Sequence, residues 1–348
     1  MGWTSAIFGR LMKSDSSSSS TSTTPLFAVD STELLLTVDV LELTVRDLNK
    51  ATRSFSAARL ISEGSRYNNG TFVYRATLPD GTAAAAKVLG RPPSRAWGAA
   101  EDAFLRQQVS LLSTLRHDNL VRLLGYTIAP DLRVLLYEFA TMGTLHDILH
   151  GPRGEPKPDN SGSRPAAVML SWAQRTRIAL DAARGLQYLH EAAAVSHWSI
   201  RSTNVLLFQG FRAKIADYDV FEQGGEMCSR RATSIHVAYF PLEYVTQGSR
   251  VDRKVDVYSF GVLLLELLTG RKSFDVTLDP PDMLVHWVAP LLRKGGIEQW
   301  IDPKLGMQYP PAGALQLARI AQQCLHGQAR SRPSMGVVAQ MISDIVRD

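Results

Sequence analysis

Three separated groups of residues carry side chains able to do chemistry: Lys87, closing the run Ala84-Ala85-Ala86-Lys87; the polar stretch His197-Trp198-Ser199-Ile200-Arg201-Ser202-Thr203-Asn204; and Asp217-Tyr218-Asp219, about a dozen residues later. They supply a cation, an amide and two carboxylates. Taken singly each is weak, because a strand lysine is often merely exposed and Asn and Asp favour turns in any fold. A fourth group, His146-Asp147-Ile148-Leu149-His150, copies the spacing of a zinc-protease helix, with an acid after the first of two histidines four apart. Asp is shorter than the Glu that such chemistry uses, no third ligand is identifiable, and Pro152 soon ends the helix, so metal binding there is the lesser reading.

The elements that must position these groups are legible in outline. Leu43 to Thr52 has helical spacing of its apolar positions, with Thr44 and Asp47 placed as a cap and first-turn acid. Phe72 to Ala76 and Thr82 to Val88 read as strands of a hairpin joined by Leu78-Pro79-Asp80-Gly81. A helical segment from about Glu101 to Leu115 and two strand-like runs, Val121 to Ile128 and Leu132 to Phe139, follow. After Met142-Gly143 the character changes. Gly151 to Pro165 is a Gly- and Pro-rich loop, and Leu170 to His190 is an amphipathic helix entered through a Ser171/Gln174 capping box. Val257 to Leu268 is apolar all round and stopped by Gly270, the pattern of a buried central helix.

Composition bounds the function. The chain has 348 residues, 45% hydrophobic and 20% charged, enough for two lobes around sizeable cores. Thirty-eight Lys and Arg stand against 33 Asp and Glu, and the cations are scattered, so no nucleic-acid partner is expected. Cys228 and Cys324 are far apart, which argues against a disulfide framework or a zinc site and fits a reducing compartment. Val262 to Leu268, the most apolar stretch, is broken by Glu266 and falls far short of the roughly 18 residues of a membrane span, so no transmembrane segment is expected. From Ser14 to Thr24 every residue except Asp15 is Ser or Thr, so residues 1–40 are expected to be a flexible segment ahead of one domain over 41–348. Met1 to Phe8 is similar to a myristoylation signal, but Ala6 stands where Ser or Thr belongs and no cysteine lies nearby for palmitoylation.

The order of Lys87, the His197–Asn204 loop and Asp217 resembles a protein kinase, and the resemblance runs from about Leu43 to Val346. Leu48-Asn49-Lys50-Ala51-Thr52 with Phe55, the stretch Tyr137 to Gly151, and Arg201 to Phe208 are similar to the Pto-interacting branch of plant receptor-like cytoplasmic kinases. The resemblance implies an α+β, two-lobed kinase fold, with a strand-rich N-lobe carrying one helix over about 41–138 and a larger helical C-lobe over about 142–348. It places Gly64, Ala85, Lys87, Glu138, Ala140, Asn204 and Asp217 around ATP, with Asn204 and Asp217 on Mg²⁺, and pairs Glu243 with Arg332 as a scaffold mark. It also implies other protein kinases or signalling proteins as partners in stress or defence signalling. The implied location is cytoplasmic, with peripheral attachment at the inner face of the plasma membrane as the alternative that the N-terminus leaves open.

The departures from that pattern decide what chemistry survives. Ser199 stands where the family places the aspartate that orients the substrate hydroxyl and accepts its proton, and a serine hydroxyl cannot act as that base. Loss of a general base costs about 10²- to 10⁴-fold in rate, or about 3 to 5 kcal/mol of barrier. Trp198 replaces an arginine that pairs with a phosphorylated activation segment. In the phosphate-covering loop, Ser62 to Val73, only Gly64 is clearly in place. Gln108 falls at the expected glutamate of the helix facing Lys87, where it could still hydrogen-bond the lysine without an ion pair. Asp219 replaces a glycine beside Asp217, and Ile235-His236-Val237-Ala238-Tyr239 lacks the family's threonine. Ser229, Thr233 and Ser234 are candidate acceptors for another kinase. The expectation is a signalling pseudokinase acting through binding; the alternative is a weak ATP-dependent Ser/Thr kinase using Lys87, Asn204 and Asp217.

Overall fold

The computed structural model describes residues 40–63, 71–90, 98–151, 169–218, 237–241, 243, 253–275, 282–294 and 296–347. Gly64, the Ser/Thr run, residues 152–165 of the expected Gly151–Pro165 loop, Asp219, the candidate acceptors Ser229, Thr233 and Ser234, and the Ile235-His236 pair lie outside them. A strand-rich N-lobe is built on one six-stranded sheet. Its strands are β1 (Leu41–Glu42), β2 (Leu60–Glu63), β3 (Phe72–Thr77), β4 (Ala83–Val88), β5 (Leu123–Ala129) and β6 (Leu132–Glu138), in the order β1-β5-β6-β4-β3-β2. The Leu78–Gly81 turn closes through Leu78 N–H to Thr82 O at 2.8 Å, with Gly81 at φ 85°, a backbone region that favours glycine.

Two helices attach to this sheet's half of the molecule. In α1 (Val45–Thr52), Thr44 accepts the Asp47 N–H at 3.1 Å and donates its hydroxyl to the Asp47 carboxylate at 2.6 Å, as the Thr-x-x-Asp spacing predicts. The longer α2 (Ala99–Thr114) starts two residues earlier than its periodicity indicates. A difference from the sequence reading is β1, which pairs parallel with β5 at Leu41–Gly125 and Glu42–Tyr126. Two residues carry no periodicity, so this pairing has no local signal.

Strand β4 shows how the sheet sets up chemistry. Ala84 and Ala86 are fully buried with Leu48, Val134 and Leu136 in the smaller N-lobe core, so strand alternation turns Ala85 and Lys87 to the opposite face. One methyl group per position keeps that layer thin.

The C-lobe is helical: α3 (Leu145–His150), α4 (Trp172–Glu191), α5 (Lys254–Thr269), α6 (Leu284–Lys294), α7 (Pro311–Cys324) and α8 (Met335–Arg347). A two-stranded ribbon, β7 (Val205–Phe208) with β8 (Arg212–Ile215), carries the polar loop on one side and Asp217 on the other. Helix α4 opens with the expected reciprocal box: Gln174 N–H to Ser171 Oγ at 3.3 Å and Ser171 N–H to Gln174 Oε1 at 2.8 Å. Helix α5 is buried over nearly its whole length and is ended by Gly270 at φ 64°. A Cβ at Gly270 would collide with the Asp302 carboxylate, so glycine is required there for both conformation and space.

That carboxylate closes a buried arrangement with no sequence signal. Arg175 of α4 gives Nε to Leu170 O at 3.0 Å, one terminal nitrogen to Leu267 O at 2.8 Å and the other to Asp302 at 2.6 Å. Asp302 in turn donates its N–H to Leu268 O at 2.8 Å. Both side chains are at least 96% buried, so removing one partner strands the other's charge. Asp302→Ala is expected to lower unfolding free energy by about 3–5 kcal/mol in urea titration, and Asp302→Asn by less. Equal losses under about 1 kcal/mol for both would show that the pair does not anchor the end of α5.

Candidate functional site

The three chemical groups meet. Lys87, from β4, places its ammonium 2.7 Å from Asp217 Oδ1 although the two lie 130 residues apart. Asn204 ends a short 3₁₀ turn, Ser202–Asn204, before β7. Its amide donates to Ser199 O at 2.8 Å, to Ser199 Oγ at 3.1 Å and to Asp217 Oδ2 at 3.3 Å. Arg201, a residue whose contact the sequence reading missed, lies 3.8 Å from Asp217 Oδ2. Its signal was available in the motif Arg201-Ser202-Thr203-Asn204, two places after Ser199. Asp217 therefore sits between two cations and an amide. Its φ of 63° is left-handed backbone, a region that aspartate tolerates better than most residues.

The loop that carries Ser199 is held from below. Asp256, in the first turn of α5 and 1% exposed, accepts the backbone N–H of His197 at 2.7 Å and of Trp198 at 2.6 Å, and His190 Nε2 at 2.9 Å. Trp198 is thereby kept at φ 68°, a costly conformation for a bulky residue. Its indole Nε1 is buried with no hydrogen-bond partner among the described residues. Tyr218 is buried beside the same loop, with its hydroxyl on Val121 O.

Other predicted positions fall as follows. Glu138 ends β6 in register with Ala84, and its carboxylate takes the Lys214 ammonium at 2.7 and 2.8 Å and the Arg122 N–H at 2.8 Å. Ala85 pairs with Tyr137, next to Glu138, and Ala140 follows at the turn between the lobes. The hydrogen bond that Gln108 could give Lys87 is absent. Gln108 is buried on α2, and its Oε1 has no hydrogen-bond partner among the described residues. Glu243 bonds Arg332, which also donates to His326 O at 2.8 Å and Lys254 O at 2.9 Å. His150 lies 3.2 Å from Glu266 of α5, which also bonds Ser202 and Tyr239, so this histidine is tied into the C-lobe interior. Burial, and secondarily Glu266, push the Tyr239 hydroxyl well above the ordinary tyrosine range.

Chemically, the site offers a carboxylate and an amide side by side. Asp217 and Asn204 fit one Mg²⁺ brought in on nucleotide phosphates, since that ion is commonly bound by one or two protein groups plus phosphate oxygens. Where the family resemblance expects the base, the described residue is Ser199, whose hydroxyl accepts a bond from Asn204 at 3.1 Å. His197 cannot substitute. Its Nδ1 accepts the Ser199 N–H at 3.2 Å, which leaves Nε2 to donate to Ala216 O at 2.9 Å, and the ring is neutral and buried.

Burial is the main cause that holds the His197 imidazole below its ordinary 6.5, against the opposite pull of Asp256 and Asp217. A depressed folded value means that the unfolded chain takes up the proton first, so stability present above about pH 6.5 is lost as pH falls toward the folded value. Urea unfolding between pH 7 and pH 5 is expected to show this as a slope of up to about 1.4 kcal/mol per pH unit, and His197→Asn should flatten it. An unchanged slope in the variant would assign the pH dependence to other groups.

Comparison with known proteins agrees with this geometry. A family model described as protein tyrosine and serine/threonine kinase matches residues 68–342. PTI1-like tyrosine-protein kinase 3 of Arabidopsis thaliana is 44% identical over 319 residues, covering 89% of this chain and 74% of the relative. PTI1-like tyrosine-protein kinase 1 of the same plant is 42% identical over 318 residues, covering 90% and 84%. A probable receptor-like protein kinase of that plant is 42% identical over 306 residues, covering 86% and 79%. With the fold, the Lys87–Asp217 contact and the matched span in agreement, the chain belongs to the protein tyrosine and serine/threonine kinase family, among relatives of the plant PTI1-like kinases.

Proposed function

We propose that this chain is a receptor-like cytoplasmic pseudokinase that acts in signalling through protein–protein interaction and carries the remnant of an ATP pocket. The observation that carries the reading is Ser199, whose hydroxyl stands at the base position and is engaged by Asn204 at 3.1 Å. Gln108 in place of a glutamate and Trp198 in place of an arginine support it, since both substitutions remove groups through which an active kinase aligns its lysine and its activation segment. Asn204 and Asp217 are the residues that would hold Mg²⁺. The ion's chemistry there would be to neutralise phosphate charge, while Lys87 and Arg201 orient the phosphates.

Proposed partners are other protein kinases or signalling proteins, consistent with the relatives being kinases. The proposed location is cytoplasmic, with peripheral contact at the inner face of the plasma membrane through the N-terminus as the variant of that reading. Among the described residues no helix is long and apolar enough to cross a membrane. A second reading, a weak ATP-dependent Ser/Thr kinase, is favoured by one observation: Lys87, Asn204 and Asp217 converge as phosphate positioning requires. Positioning and metal supply much of phosphoryl-transfer catalysis, so loss of a base need not abolish it.

The readings separate in a transfer assay with labelled ATP and Mg²⁺ or Mn²⁺, using the purified chain, Ser199→Asp and Asp217→Ala, on itself and on a generic protein substrate. The native chain is expected to be silent and Ser199→Asp to gain activity, by about 10²-fold or more over background. Transfer by the native chain that vanishes in Asp217→Ala would overturn the pseudokinase reading in favour of the weak enzyme.

A further inference from the structure

We infer that a depression on the N-lobe, lined by Arg116 and Arg122, receives a phosphorylated serine or threonine side chain of a partner protein. The inference deepens the reading of this chain as a signalling protein that works by binding, and it rests on that reading for the existence of a partner. The depression has a volume of about 170 Å³ and lies where the end of α2, the start of β5 and the residue ahead of β1 come together. Val40, Leu123 and Leu124 give it apolar lining, Ser113 adds a hydroxyl, and the two arginines, both exposed, supply its charge. No carboxylate lines it among the described residues. Asp118, between the arginines in sequence, is exposed but is not part of the lining, and the Glu138 carboxylate is taken by Lys214 at 2.7 and 2.8 Å.

The chemistry of this lining selects the ligand. A guanidinium carries five N–H donors in a planar fork that matches two phosphate oxygens at once. Arg116 makes other contacts as well, and with five donors it can keep one partner and present the rest to a second. The main chain is pinned beneath both side chains: Arg116 N–H donates to the Tyr188 hydroxyl at 3.4 Å, and Arg122 N–H to Glu138 Oε1 at 2.8 Å. Ser113 already gives its hydroxyl proton to Ser110 O at 2.7 Å, so the recognition falls to the two guanidiniums. A carboxylate side chain would offer them two oxygens and one charge, whereas a phosphate monoester offers three oxygens and a charge of about −1.5 to −2 at neutral pH. Size limits the ligand too. At about 170 Å³ the depression is smaller than the roughly 300–1,000 Å³ clefts that enclose whole small molecules, so it takes the tip of one side chain, whose carbon stem rests on Val40 and the leucines.

The test is fluorescence anisotropy of the full chain with a labelled peptide library that has phosphothreonine at its centre and random residues around it. The same library with threonine or glutamate at the centre is run beside it, and melting temperature is recorded for every variant. The phosphorylated library is expected to bind at least about tenfold more tightly than either of the others. Arg116→Gln and Arg122→Gln should each weaken that binding by about fivefold or more, and together they should remove the preference for phosphate. Arg46→Gln, which takes the same charge from an exposed position on α1, should change it by less than about twofold. The single variants decide the matter if the double variant does not fold. Equal binding of the three libraries, an equal loss in Arg46→Gln, or a phosphate preference that survives loss of the arginines would each overturn the inference. Inorganic phosphate binding as tightly as the phosphorylated library would also overturn it, by assigning the depression to a free anion. Phosphate transfer by the native chain would instead sink the pseudokinase reading and leave the phosphopeptide preference standing.

Discussion

A single buried carboxylate carries the geometry of the site. Asp256 is 1% exposed and is compensated by three donors, the backbone N–H groups of His197 and Trp198 and the His190 ring, at 2.6–2.9 Å. An ionised group at that depth is tolerated only while its donors stay in place, so the loop cannot drift without exposing Asp256 to a large desolvation cost. Two of those donors are backbone groups. The constraint therefore fixes the path of the chain through residues 197 and 198 and is indifferent to the side chain at 198. This is the physical reason that an indole can sit at Trp198, in left-handed backbone, with the loop shape intact.

The helix that presents Asp256 is itself held at both ends. Near its start, Arg332 donates to Lys254 O and bonds Glu243, and Lys254 returns a bond to Arg332 O. Near its end, Arg175 donates to Leu267 O and pairs with Asp302. Between these ends, Glu266 joins α5 to Tyr239, Ser202 and His150. The N-lobe then reaches the same frame through Val121 N–H to Ile215 O at 3.0 Å, Tyr218 to Val121 O and Lys214 to Glu138. The loop carrying Ser199 thus reaches α5 directly through the His197 and Trp198 N–H groups, by backbone contacts that do not involve the Ser199 side chain.

What the sequence made legible follows from how local each signal is. Thr44 with Asp47, Ser171 with Gln174 and the Leu78–Gly81 turn act within four residues, so type and spacing were enough to place them. Helix α5 was legible because a run of apolar side chains ended by Gly270 leaves few alternatives, although its start lies three residues before the apolar run. The site was legible only through family resemblance, since nothing local says that Lys87 meets Asp217 130 residues later. Arg175 and Asp302, 127 residues apart, and the parallel pairing of β1 had no such help and went unread. Gln108 was placed by alignment, but whether its amide reaches Lys87 depends on competition with Asp217, which spacing cannot decide.

The contacts in the cleft differ in kind from those that hold the frame. Arg332, Arg175 and Asp256 are almost wholly buried, and each has a structural reason to be what it is. Asn204 has one too, because its amide ties Ser199 O to the turn before β7. Lys87 and Asp217 are less deeply buried, their side chains 19% and 29% exposed, so solvent screens part of their attraction. Asp217 also sits in left-handed backbone, which offsets part of even that gain. The lysine, the arginine and the aspartate thus differ from the frame residues in being partly open to water, with a backbone cost at Asp217 that their attraction must cover.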